Sequence, residues 1–170
     1  MKERSANYEQ KEHITTHLKE SLGRIEEAFT DTPDLIIRKL HIKQTGEEAA
    51  LVYMDELTDK TCLNHDVLAP LQLESGNPSE DFITNVGYVK PESKWDELML
   101  NIMLGNSVLF IEGRSTAYVL DTKGLPKRAI KDPQQEPSLK GAHQGFIEIG
   151  SQNIAMIRRY IPDKELKLRR

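Results

Sequence analysis

The longest unbroken apolar run in this chain is six residues, Ala49-Ala50-Leu51-Val52-Tyr53-Met54. A bilayer-spanning helix needs about 20 such residues. The core must therefore be assembled from several short elements, and 170 residues make one domain the default. A hydrophobic fraction of 38% with 29% charge is ordinary for a folded globule and too apolar for a disordered tail. No secretory leader is expected at the start, because Lys2, Glu3 and Arg4 run into a polar stretch. Cys62 is the single cysteine, so no disulfide framework exists and a reducing compartment is expected. These features predict a soluble intracellular domain.

The net charge of −4 is unevenly distributed. Residues 1–43 balance eight basic against eight acidic side chains, residues 44–113 carry three against thirteen, and residues 114–170 carry twelve against six. A basic carboxy-terminal part suits nucleic acid, anionic lipid or an acidic protein surface. It equally suits internal pairing with the acidic middle.

Ile14, Leu18, Leu22, Ile25 and Phe29 recur at helical spacing, which predicts one amphipathic helix over residues 1–30, fraying before Tyr8. Asp31-Thr32-Pro33-Asp34 breaks it. Leu35–Ile42 and Ala49–Leu57 read as strands joined by a turn at Gly46. Thr58 or Asp59 would cap a helix carrying Leu63, Val67, Leu68 and Leu71, ending or bending near Pro70. Ile83–Val89 is a weaker strand interrupted by Gly87. Pro91 suits the first turn of a helix through Trp95, Leu98, Met99, Ile102 and Met103, closing at Gly105. Ser107–Glu112 and Ala117–Asp121 form a second hairpin around Gly113-Arg114-Ser115. Thr122–His143 holds three prolines and two glycines with little apolar period, which marks a functional loop or a traversing linker. Phe146, Ile149, Asn153, Ile154, Ile157 and Ile161 then give a last helix, stopped by Pro162.

The order α-β-β-α-β-α-β-β-loop-α predicts an α/β fold of the α+β type: a mixed sheet of four to five strands with helices packed on it. Three regions follow. Residues 1–30 are the amino-terminal helix, 31–121 the α/β core, and 122–170 the proline-rich loop and final helix.

Candidate chemistry is sparse. His13 and His17 stand four apart, a spacing that could face one metal, but no third ligand is indicated and the apolar face lies elsewhere. Cys62, His65 and Asp66 are neighbours on a helix, yet a nucleophilic thiolate also needs an oxyanion hole in a cleft, and a small buried cysteine is the plainer reading. Phosphate loops are absent, and Gly113-Arg114-Ser115-Thr116-Ala117 lacks the last glycine of a hydrolase elbow. The residues thus supply no enzyme, no metal site and no cofactor.

The loop and last helix carry a resemblance. Asp132-Pro133-Gln134-Gln135-Glu136, Leu139-Lys140-Gly141-Ala142-His143-Gln144-Gly145-Phe146 and Asn153-Ile154-Ala155-Met156-Ile157-Arg158-Arg159-Tyr160-Ile161 resemble successive blocks of the GerA family, roughly E-P-Q-T-E, V-R-G-P-R-E-G-F and N-I-A-L-I-R-R-R-I. Thr122-Lys123-Gly124-Leu125-Pro126-Lys127-Arg128 is similar to the family's T-K-G-W-x-x-R. Asp34-Leu35-Ile36-Ile37-Arg38 is similar to its S-x-D-L-I-I-R strand. Gln135 replaces a threonine, Lys140 and His143 replace arginines, and Tyr160 replaces the third arginine of the last block. Lysine or histidine does not reproduce a bidentate guanidinium contact.

The GerA family comprises A subunits of nutrient germinant receptors in endospore-forming bacteria. The resemblance implies the first lobe of their amino-terminal region, on the cytoplasmic (spore-core) side of the spore inner membrane. It implies a fragment continuing into a second lobe, and action with B and C subunits. The expected role is non-enzymatic signalling and assembly. The alternative is a lobe that binds the germinant (an amino acid, sugar or inositol) together with the second lobe. Candidate ligand or interface residues are Gln134, Gln135, Glu136, Lys140, Gly141, His143, Gly145, Phe146, Asn153, Arg158 and Arg159. Adjacent on a helix, Arg158 and Arg159 point about 100° apart and cannot both address one carboxylate. Under this reading the basic end is better explained by a junction to the next lobe than by nucleic acid. Lipid contact through Lys164, Lys167, Arg169 and Arg170 is disfavoured.

Overall fold

Five strands form one sheet in the order β1-β2-β4-β5-β3: β1 is Leu35–His41, β2 Glu48–Met54, β3 Val89–Glu92, β4 Ser107–Ile111 and β5 Ala117–Leu120. The computed structural model describes residues 12–73, 84–124, 150–163 and 166–167. Helical stretches among the described residues accompany the sheet. They are α1 (Leu18–Ala28), α2 (Lys60–Cys62, Leu63–Leu68 and Ala69–Leu73 in continuous succession), α3 (Trp95–Met103) and α4 (Gly150–Tyr160).

The α+β class and five strands are as expected, but the sheet is not mixed. Every paired strand is antiparallel. β3 and β4 do run the same way around α3, yet β5 folds back and inserts between them, so no parallel pair forms among the described residues. The six-residue apolar run belongs to β2, second in the sheet and covered on both faces. Ala50, Val52 and Met54 join the core beneath α1 and α3 with Val108, Phe110 and Val119. Ala49, Leu51 and Tyr53 join Leu109, Ile111 and Leu120 beneath α2. Side chains alternate faces along a strand, so a strand buried twice shows no polar alternation.

Local bonds explain two other departures, and how α2 accommodates Pro70. The helix that carries Leu18, Leu22 and Ile25 begins at Leu18, because residues 13–17 are extended and tied to the segment before α3. Ile14 N–H donates to Ser93 O (2.9 Å), and the Trp95 indole donates to His13 O (2.9 Å). Glu112 then accepts from Leu18 N–H at 2.8 Å and caps α1 from the β4–β5 turn. The Ile83–Val89 strand is displaced to Val89–Glu92, with Pro91 inside it and not in α3. β3 is a sheet edge, where a residue without an N–H is tolerated.

Near Pro70, where an end or a bend is expected, α2 is irregular and its range closes at Leu73. The middle of α2 widens so that Ala69 N–H reaches back five residues to Asn64 O. The Asp66 carbonyl, which an ordinary residue 70 would have bonded, accepts from Asn85 N–H instead (2.9 Å). Asp59 caps the start by accepting from Thr61 and Cys62 N–H, and Leu63, Val67, Leu68 and Leu71 are buried, both as expected.

Candidate functional site

The carboxy-terminal helix meets the sheet at one point of concentrated charge. The turn Asp31–Asp34 that ends α1 places Asp31 at φ 58°, a left-handed conformation that aspartate tolerates better than most residues. It delivers Asp34, buried, to the head of β1, where its carbonyl accepts from Asp55 N–H (2.7 Å). Arg158 on α4 donates from Nε to Asp34 Oδ2 at 2.5 Å and from Nη2 to Oδ1 at 2.8 Å. The two side chains are 2% and 6% exposed, so the pair is desolvated and works only because the guanidinium fork matches the carboxylate.

Arg159, one residue on, turns to Gly124 O (3.2 Å) and stays exposed. The expected divergence of the two arginines is what the helix produces. One ties α4 to the start of β1, the other to the strand of chain leaving β5.

That exit is itself a knot. Gly124 N–H donates to Leu57 O (2.8 Å), and Asp59 N–H donates to Thr122 O (2.8 Å). Buried Thr122 shares a hydrogen bond with Ser107 (2.7 Å). A Cβ on Gly124 would come within 3.2 Å of Leu57 O, and one on Gly105 within 3.0 Å of the same oxygen. Thr122-Lys123-Gly124 is thus the block that fixes where the chain leaves the core.

Asn153 lies half-buried on α4. Gln134, Gln135, Glu136, Lys140, Gly141, His143, Gly145 and Phe146 lie outside the described residues. So does most of the expected Thr122–His143 loop. Sequence reasoning missed Asp34 as the partner of Arg158, placing it in a helix breaker and at the head of a family-like strand. The available signal was an acid directly before an apolar triplet, in the same chain as an arginine directly behind Ile157.

Other candidates are placed apart from this junction. His13 and His17 do not share a helix: His13 Nδ1 meets Ser93 Oγ (3.0 Å) and His17 lies 3.7 Å from Glu112. Among the described residues, no three His, Cys, Asp or Glu side chains converge as metal ligands. Burial first, then the carboxylates of Asp66, Asp59 and Asp121, push the Cys62 thiol up to about 11. That suppresses the thiolate a nucleophile requires. His65 contacts the same Asp66 (3.3 Å).

On the opposite side of the sheet from β1, α3, β3 and β5 border an open cleft of about 400 Å³. Lys90, Glu97, Asn101, Asn106, Asp121 and Lys123 supply its polar groups. Asn106 is buried and donates to Asn101 Oδ1 (2.7 Å), while its own Oδ1 lacks a partner among the described residues. Among the described residues no helix is long and apolar enough to cross a membrane.

The fold is shared with a solved protein domain. The crystal structure of the N-terminal domain of the A subunit of the Bacillus megaterium spore germinant receptor GerK3 superposes with a TM-score of 0.66 at 22% identity, covering 92% of this chain and 59% of that one. Residues 23–170 match the family described as Bacillus/Clostridium GerA spore germination protein, and the chain belongs to that family. Relatives include Spore germination protein KA of Bacillus subtilis (strain 168), 30% identical over 161 residues, 90% of this chain and 30% of that protein. Spore germination protein GerLA of Bacillus cereus is 24% identical over 158 residues, 89% of this chain and 32% of that protein. The chain thus spans about a third of the length of these relatives.

Proposed function

We infer that this chain is a non-enzymatic signalling and assembly module of a germinant receptor A subunit, acting at the spore inner membrane from the spore-core side with B and C subunits. The carrying observation is the buried Asp34–Arg158 fork. A receptor converts a small-molecule signal into a change of conformational state, which requires rigid connections between moving parts. The fork makes α4 and the head of β1 one body, so displacement of the helix displaces the sheet. Family membership supports the receptor context, and the suppressed Cys62 thiol supports the absence of catalysis. A second lobe of the same subunit would receive the carboxy-terminal side of α4.

The test is co-purification of the B and C subunits with a full-length A subunit carrying Arg158→Ala and Arg159→Ala. Reduced recovery is expected. Arg159→Ala alone leaves the fork intact and separates an interface defect from a folding defect. Full recovery together with normal germination would overturn the reading.

The cleft beside α3 supports a second reading, a germinant-binding lobe. Its mixed charges and amides suit a small polar molecule such as an amino acid, a sugar or inositol. Calorimetric titration of each against this chain and against a two-lobed A-subunit domain tests it. Heat of binding that Asn106→Ala abolishes would favour this reading over assembly.

A further inference from the structure

Among the described residues the sheet ends in two unpaired edge strands, β1 and β3, and they are treated differently. At β3, Asp121 N–H bonds Tyr88 O (3.2 Å), so the register turns Val89 and Pro91 outward. Pro91 has no N–H to offer, which blunts that edge.

β1 carries no proline, and its far end is covered where Lys43 N–H bonds Leu71 O (2.9 Å). Asp55 N–H bonds Asp34 O at one end of the β1–β2 ladder, and Ile42 N–H bonds Glu47 O (3.0 Å) at the other. In an antiparallel pair the bonded positions alternate, so Ile36, Arg38 and Leu40 spend their backbone groups on β2. Leu35, Ile37, Lys39 and His41 turn theirs outward. Leu35 N–H is taken by Thr32 O (3.1 Å). Ile37, Lys39 and His41 remain, a row of donors and acceptors at strand repeat with no partner among the described residues.

The charge on this edge selects its occupant. Residues 35–43 hold Arg38, Lys39, His41 and Lys43 and no carboxylate; Arg38, Lys39 and His41 are exposed. We propose that β1 is a strand-addition site for an extended, acidic segment of a partner protein. Main-chain bonds to Ile37, Lys39 and His41 supply the register, and carboxylates beside Arg38 and Lys39 supply the selectivity. A second copy of this chain is the wrong partner, because β1 against β1 would align like charges. The site is separate from the α4 junction, and either can fail without the other.

Amide hydrogen exchange on the 170-residue chain tests this, with a six-residue peptide of alternating glutamate and valine as probe. In the free chain the amides of Ile37, Lys39 and His41 exchange at least about tenfold faster than those of Ile36, Arg38 and Leu40. The acidic peptide slows those three, and added salt weakens the effect. A lysine–valine peptide does not slow them. Lys39→Pro removes one outward donor while sparing the β2 ladder, and abolishes the protection. Arg38→Glu with Lys39→Glu, at exposed positions that do not threaten the fold, transfers the preference to the lysine peptide. Protection of the three amides in the free chain would overturn the proposal. So would unchanged exchange at millimolar acidic peptide, or equal protection by the lysine peptide.

Discussion

The guanidinium of Arg158 grips the carboxylate of Asp34 through two hydrogen bonds across 124 residues of sequence, with both groups nearly closed to water. Breaking a buried pair from one side strands the other charge, at a cost of about 3–5 kcal/mol. Asp34→Ala and Arg158→Ala should each lower stability by that order in urea denaturation. The double variant should lose clearly less than their sum, since neither charge is then left alone. Arg158→Lys should rescue little, because an ammonium cannot form the fork. Additive losses would show the two residues to be uncoupled.

Gly105 closes α3 at φ 91°, with Leu57 Cβ and O only 3.0 Å from where a Cβ would be. Gly105→Ala therefore meets both a backbone penalty and a collision, and about 2–4 kcal/mol of destabilisation is expected. Gly124 meets the same Leu57 oxygen at 3.2 Å without a positive φ, so Gly124→Ala should cost less. Thermal denaturation of the two variants gives the order, and a reversed order would contradict the packing described at Leu57.

Arg114 holds Glu47 by two bonds, 3.2 Å from Nε and 2.9 Å from Nη2. Burial alone would raise the Glu47 pKa, but hydrogen bonds from Thr45 and Arg114 outweigh it and leave it below the ordinary 4.5. A depressed carboxylate contributes stability above its unfolded pKa and loses it as pH falls through the folded one. The gap between wild type and Arg114→Ala, about 1 kcal/mol near pH 7, should narrow below pH 4.5. A gap that stays constant on acidification would contradict this.

Cys62 should be a slow nucleophile at neutral pH. Its thiol is held up to about 11, against an ordinary 9.0. Alkylation by iodoacetamide should rise steadily between pH 9 and 11, without levelling off near pH 9. The sign for stability is opposite to that of Glu47. The protonated thiol favours the folded state, and that contribution fades as pH climbs through about 11. A plateau by pH 8 would reveal an activated thiolate and reopen the enzymatic reading.

The elements that periodicity and turn chemistry determine were legible in the sequence. Leu63, Val67, Leu68 and Leu71 are buried as a face, Asp59 caps their helix, and both hairpins turn where Gly46 and Gly113 permit. What failed was set by partners distant in the chain. Ile14 keeps its buried position, but Ser93 and Trp95 bind its neighbourhood into extended backbone. Pro91 reads locally as a helix start, and only the strand order reveals the edge that accepts it. The same holds for the candidate site. Arg158 and Arg159 were visible as a pair, and their divergence followed from helical geometry alone. Asp34 was not visible as a partner, because nothing local says which buried cation a distant acid will meet.

The most direct measurement is the germination rate of spores whose full-length A subunit carries Asp34→Ala, Arg158→Ala or Arg159→Ala, with receptor abundance determined in parallel. If α4 relays or assembles through this junction, Arg159→Ala slows germination at unchanged abundance, and both fork variants impair it further. Wild-type germination in all three variants would contradict the account.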